Sequence, residues 1–127
     1  MTTGALIFAY NNEQIDYVAM AAWTAKNIRR HLGIPVALVS DQKTDHFFEQ
    51  QIYCPSPGTN GRWFGDYEQQ VTWHNNTRVN AYELSPWNQT LVLDADYVVA
   101  SNQLQTILDS DQDFLAHRWA YDITGLK

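Results

Sequence analysis

Two short apolar runs on either side of a helically spaced stretch constrain this chain more than any other feature. Ala5-Leu6-Ile7-Phe8-Ala9-Tyr10 and Ile34-Pro35-Val36-Ala37-Leu38-Val39-Ser40 are nearly continuous in apolar residues, the pattern of strands buried on both faces. Between them Ile15, Val18, Ala22, Ala25, Ile28 and Leu32 recur at steps of three and four, which predicts a helix over residues 13–32. Glu13 and Asp16 fall in its first turns and Lys26, Arg29 and Arg30 near its end, matching the helix dipole. Gly33 is a natural stop, with Pro35 just beyond it. Strand, long helix and strand in that order predict a right-handed βαβ unit with parallel strands.

The rest of the chain extends this unit. At 127 residues the whole of 1–127 reads as a single domain, long enough for a core of its own. Residues 45–51 are expected as a short helix, with Gln51-Ile52-Tyr53 as a short strand after it. Residues 54–66 contain Gly58, Gly61, Gly65, Pro55 and Pro57 and read as a loop. A helix is expected over residues 67–84, closed by Ser85-Pro86. Thr90-Leu91-Val92-Leu93 is a third buried strand, and Val98-Val99 continues extended. Asn102 with Gln105 resembles a capping box opening a short helix through Leu108. Residues 113–117 are expected as one more strand. Alternating strands and helices predict an α/β, Rossmann-like fold with a mainly parallel sheet and flanking helices.

Charge and cysteine usage narrow the function. Acids number 14 against 8 Lys plus Arg, for a net charge of −6, which excludes a general nucleic-acid binder. Surplus carboxylates suit solubility, or a site that holds a cation between acids. Cys54 is the only cysteine, so an intrachain disulfide and a cysteine-based zinc site are excluded. The N-terminus lacks the pattern of a signal peptide and no segment reaches membrane-spanning length. A cytoplasmic location is therefore expected.

The sharpest chemical feature is Leu91-Val92-Leu93-Asp94-Ala95-Asp96. In open α/β sheets, ligands bind beyond the carboxyl ends of the strands. Two acids at i and i+2 of an extended segment point to the same side, and a divalent cation relieves their repulsion. Mg²⁺ or Mn²⁺ would keep open positions for phosphate oxygens and stabilise a departing diphosphate. Asp-x-Asp triplets at strand ends also serve as plain turn or cap residues.

The chain resembles the N-terminal, nucleotide-sugar-binding half of GT-A glycosyltransferases, especially the retaining glycogenin-like group and related phage-encoded proteins. The residues that carry the resemblance are the opening strand with Asn11-Asn12, the Thr77-Arg78-Val79 step, and the Thr90 to Val99 segment with its Asp-Ala-Asp triplet. The resemblance implies a nucleotide-diphospho-sugar donor and a Mn²⁺ or Mg²⁺ ion held by Asp94 and Asp96, with Asp94 also near the ribose. It implies that Ala9, Tyr10, Asn11 and Asn12 line the base site, and that Arg78 faces the diphosphate or sugar. Arg78 suits that role as a forked donor to phosphate oxygens. Tyr10 could stack on a base or simply pack. Where the family commonly has a base-stacking tyrosine soon after the first strand, this chain has Gln14. The family continues well beyond its triplet, so the chain, ending at Lys127, is expected to carry the nucleotide side and lack the acceptor side.

The expected activity is transfer of a hexose from a UDP- or GDP-type donor. A second expectation is a non-catalytic GT-A-like structural or interaction module, for example in a phage virion. Uncovered sheet edges would then be met by a second copy or a partner protein. A haloacid-dehalogenase-type phosphotransferase ranks lower. Its Asp-x-Asp motif normally follows the first strand and needs a later lysine, whereas only Lys127 follows here.

Overall fold

The computed structural model describes residues 2–56, 59–64, 67–73 and 76–116. β1 (Thr3–Phe8), α1 (Tyr17–Leu32) and β2 (Val36–Ser40) form the expected βαβ unit. They are followed by β3 (Gln50–Tyr53), hairpin strands β4 (Thr59–Phe64) and β5 (Tyr67–Trp73), and a 3-10 turn (Asn76–Asn80). α2 (Ala81–Leu84), β6 (Gln89–Asp94) and α3 (Gln105–Leu108) complete the described elements. The main sheet runs β3-β2-β1-β6, and every pairing in it is parallel. β4 and β5 form a separate antiparallel pair. The fold is α/β and Rossmann-like.

Alternation along β1 sends its side chains to two cores. Ala5, Ile7 and Ala9 pack with Val18, Ala21, Ala25 and Ile28 of α1, and with Leu91 and Leu108 from the β6–α3 side. Leu6, Phe8 and Tyr10 pack on the opposite face with Ala37 and Val39, where Ala81, Leu84 and Trp87 close over them. Both faces of β1 and β2 are thus covered, which is why these strands read as continuous apolar runs. β6, expected to be a buried strand over residues 90–93, is instead an edge strand with Leu91 buried and Val92 exposed. Each fully buried Leu or Ile contributes on the order of 1.5–3 kcal/mol of transfer free energy. Trp87 sits so close to β1 that a Cβ on Gly4 would lie 2.4 Å from its ring. Its Nε1 donates to the Ala5 carbonyl at 2.9 Å.

The ends of α1 are set by specific atoms. Asp16 is the N-cap and accepts from the Ala19 N–H at 3.0 Å. Gly33 closes the helix in the left-handed conformation, φ 66°, with its N–H on the Arg29 carbonyl. Only glycine takes that conformation at little cost. The helix begins at Tyr17 rather than at residue 13, so Glu13 lies before it. The cause is local: Asn12 Oδ1 accepts from the Gln14 and Ile15 N–H groups, both at 2.9 Å, a turn that competes with helix formation.

Five other sequence expectations are corrected. Residues 45–51 form no helix. Glu49 N already bonds the Val36 carbonyl, so pairing with β2 claims the segment. The expected loop at 54–66 contains β4, and the first part of the expected helix at 67–84 is β5. Trp63, Phe64, Tyr67, Val71, Thr72 and Trp73 are strand-favouring residue types, leaving only Ala81–Leu84 as α-helix. Asn102 and Gln105 form no capping box. α3 has no side-chain cap, and Gln105 Nε2 reaches Asp109 instead. Residues 113–116 are not a strand, with Phe114 and Leu115 exposed, and His117 lies outside the described residues.

Candidate functional site

The strand order creates a switch point between β1 and β6. From β1 the chain passes through α1 to β2 and β3 on one side, then returns to place β6 on the other. In open α/β sheets the ligand crevice lies beyond the carboxyl ends of the strands at such a point. Phe8 and Asp94 are register partners at those ends. The loop after β1 and the Asp94-Ala95-Asp96 triplet therefore meet at the mouth of the crevice.

The triplet is a turn, not the extended segment expected. Tyr97 N–H bonds the Asp94 carbonyl at 3.1 Å. Ala95 is buried against α1, and its carbonyl accepts from the hydroxyl of Thr24, itself fully buried, at 2.6 Å. Asp94 and Asp96 flank this anchor and are both exposed. Small, apolar Ala95 thus plugs the turn into the core while the two carboxylates are held out. Thr24 was not foreseen from sequence: a threonine on the apolar face of α1 reads as packing.

Arg78 arrives from the 3-10 turn and forms an ion pair with Asp94 through Nη1 and Oδ1. Both side chains are well exposed, 39% and 55%, so the pair contributes no more than about 1 kcal/mol. Its position depends on the preceding residue. Thr77 is buried and donates its hydroxyl to Tyr10 Oη at 3.0 Å. Tyr10 Oη in turn donates to the Cys54 carbonyl at 2.8 Å. One tyrosine hydroxyl thus ties the 3-10 turn to the ends of β1 and β3. Burial, above all, pushes the Tyr10 phenol up to about 12.

The other residues expected at a base site do different work. Ala9 is buried in the α1 core. Tyr10 is only 4% exposed, so its ring packs, the second of the two readings open to it. Asn11 Oδ1 accepts from the Val18 N–H at 2.9 Å, and Asn12 Oδ1 holds the turn before α1. The Asp16 carboxyl lies below the usual range, through the Ala19 N–H above all, with the Asn11 side chain adding to the effect. Asn11 and Asn12 thus shape the loop beside the crevice.

The fit to a metal is specific and incomplete. No group of three or more His, Cys, Asp or Glu side chains converges among the described residues. Asp94 and Asp96 alone would be two carboxylates, too few for an all-protein cage. Two carboxylates completed by phosphate oxygens and water is, however, a usual Mg²⁺ environment. The residues therefore suit a cation that arrives with a phosphorylated ligand. Among the described residues, no helix is long and apolar enough to cross a membrane. Comparison of the chain with protein-family models, curated proteins and solved structures returns no match.

Proposed function

We propose that this domain binds a nucleotide-diphospho-sugar, together with Mn²⁺ or Mg²⁺, at the carboxyl ends of β1 and β6, in the manner of the nucleotide-binding half of a GT-A glycosyltransferase. The observation that carries the reading is the Arg78–Asp94 pair at the switch point. A weak, solvent-exposed pair holds one cation and one anion side by side without committing either. A metal diphosphate offers a better partner to both. The cation takes Asp94 with Asp96, and the phosphate oxygens take the Arg78 guanidinium in forked hydrogen bonds. The metal would supply charge stabilisation to a departing diphosphate. Arg78 would add a fixed positive charge on the same group, and hexose transfer is the reaction such a site serves.

The test is calorimetry of UDP, GDP and their hexose conjugates, with and without Mn²⁺. Metal-dependent binding that disappears in the Asp94→Ala, Asp96→Ala double variant supports the site. Absence of any nucleotide binding sinks it. A second reading, a non-catalytic interaction module, has its own support: the Asn11, Asn12 and Tyr10 side chains all serve the fold. Val79 and Tyr82, 85% and 95% exposed, also follow Arg78 closely in the chain. A concentration-dependent increase in mass that Tyr82→Ser abolishes, without nucleotide binding, would favour that reading.

A further inference from the structure

The Arg78–Asp94 pair decides what the turn after β6 can offer a cation that arrives alone. Asp94 and Asp96 are both exposed there, and the Arg78 guanidinium neutralises the first of them. The turn thus presents one free carboxylate instead of two. Among the described residues, no group of three or more His, Cys, Asp or Glu side chains converges to make up the deficit. A hard divalent cation takes several oxygen ligands and sheds its water reluctantly, so one free carboxylate is a poor site. The backbones on either side of the pair are tied down. Thr77, next to Arg78, is buried and bonded to Tyr10 Oη, while Asp94 ends β6 in register with Phe8 and adjoins the Ala95 carbonyl that Thr24 holds. The two side chains, 39% and 55% exposed, remain free to turn. An exposed pair of this kind is weak, and a guanidinium bonds phosphate oxygens in the same forked geometry as it bonds a carboxylate.

We propose that Arg78 is an autoinhibitory counter-ion, closing Asp94 to a bare divalent cation and releasing it when a diphosphate draws the guanidinium away. This role rests on the nucleotide-sugar reading above and adds a coupling to it. A diphosphate that engages Arg78 restores the second carboxylate to the turn, and its own oxygens complete the ligand set that two carboxylates leave short. Cation and diphosphate therefore raise each other's affinity for the turn, and Arg78 keeps the turn from filling with metal alone. The guanidinium opposes one ligand and attracts the other, so its removal has effects of opposite sign on the two.

The experiment titrates the full chain with Mn²⁺ alone, counting free ion by electron paramagnetic resonance, and with preformed Mn²⁺–UDP by calorimetry. Arg78→Gln should bind Mn²⁺ alone about fivefold more tightly than the parent chain, and adding Asp94→Asn should remove that gain. The same Arg78→Gln change should weaken Mn²⁺–UDP binding by about tenfold. An arginine that only held the turn in shape would weaken both on removal, so the opposite signs identify a counter-ion. Raising the salt concentration should narrow the difference in Mn²⁺ affinity, because it screens the pair. Equal Mn²⁺ affinity in the parent and Arg78→Gln, or a gain that persists without Asp94, overturns the counter-ion role, and intact Mn²⁺–UDP binding then leaves the nucleotide reading standing. Absence of Mn²⁺–UDP binding by the parent chain sinks both.

Discussion

Removing one oxygen atom from Tyr10 should test how the candidate site is held together. Tyr10→Phe keeps the ring in its core between the sheet and α2 but deletes the hydroxyl that links Cys54 and Thr77. Thr77 is buried, so its hydroxyl loses its acceptor where water cannot readily replace it. The Cys54 carbonyl is less enclosed and can rehydrate. One buried group left unpaired and one bond exchanged for water amount to about 2 kcal/mol. With a urea slope of about 1–1.5 kcal/mol/M for a domain of this size, the unfolding midpoint should fall by about 1.5 M at unchanged slope. Adding Thr77→Val removes the orphaned hydroxyl, so the double variant should be about 1 kcal/mol more stable than the sum of the single variants. The alkaline limb gives a second readout. A phenol raised from 10.0 to about 12 contributes stability that is complete below pH 10 and lost as pH rises through 12. Tyr10→Phe should lack that part of the loss. A midpoint shift below about 0.3 M, equivalent to less than 0.5 kcal/mol, with strict additivity, would refute the assigned role of this hydroxyl.

Three further outcomes follow from the geometry. Gly4→Ala places a Cβ 2.4 Å from the Trp87 indole and should cost about 2–3 kcal/mol by chemical denaturation, less in a Trp87→Phe background. Glu49 is pushed up by burial, yet Arg29 and the Val36 N–H outweigh that and leave it below its ordinary 4.5. Its contribution is therefore present above pH 4.5 and lost as pH falls through the lower folded value, so Glu49→Gln should flatten the acid limb of a stability–pH curve. Thr24→Val removes the 2.6 Å bond that anchors the Ala95 carbonyl and should weaken Mn²⁺-dependent nucleotide binding about tenfold, with a stability loss near 1 kcal/mol. Binding by calorimetry beside a urea melt separates the two effects.

What could be read from sequence follows the range of the interactions involved. β1 and β2 lie in the middle of the sheet, and burial on two faces left continuous apolar runs that need no partner to be recognised, whereas β6 stands at the edge with Leu91 buried and Val92 exposed. α1 was legible for the same reason, through its apolar spacing, although its first turn was not. Asn11 and Asn12 spend their side chains on the turn before it, a local competition that the asparagine pair itself could have signalled. The middle of the chain is illegible in sequence because its structure is set by distant pairing. Residues 49–50 extend because β2 is beside them, and β4 and β5 become strands by pairing with each other. Short mixed segments carry no periodicity strong enough to announce that in advance.

The candidate site divides along the same line, and the division bears on what the Asp-Ala-Asp triplet means. Its acids were legible as residues, whereas their geometry was not: alternation along a strand predicted two carboxylates on one side, yet a turn anchored through Ala95 and Thr24 holds them out. A triplet serving only as a strand terminator would need neither a buried threonine reaching across from α1 nor an arginine delivered to its first carboxylate by a buried Thr77–Tyr10 link. Both anchors stabilise parts of the fold that the exposed Arg78–Asp94 pair, at under about 1 kcal/mol, does not. The core thus holds the charges in position, while the charges contribute little to the core. That asymmetry is what a binding site requires, since its charged groups must be positioned before the ligand arrives and must still be free to leave each other for it.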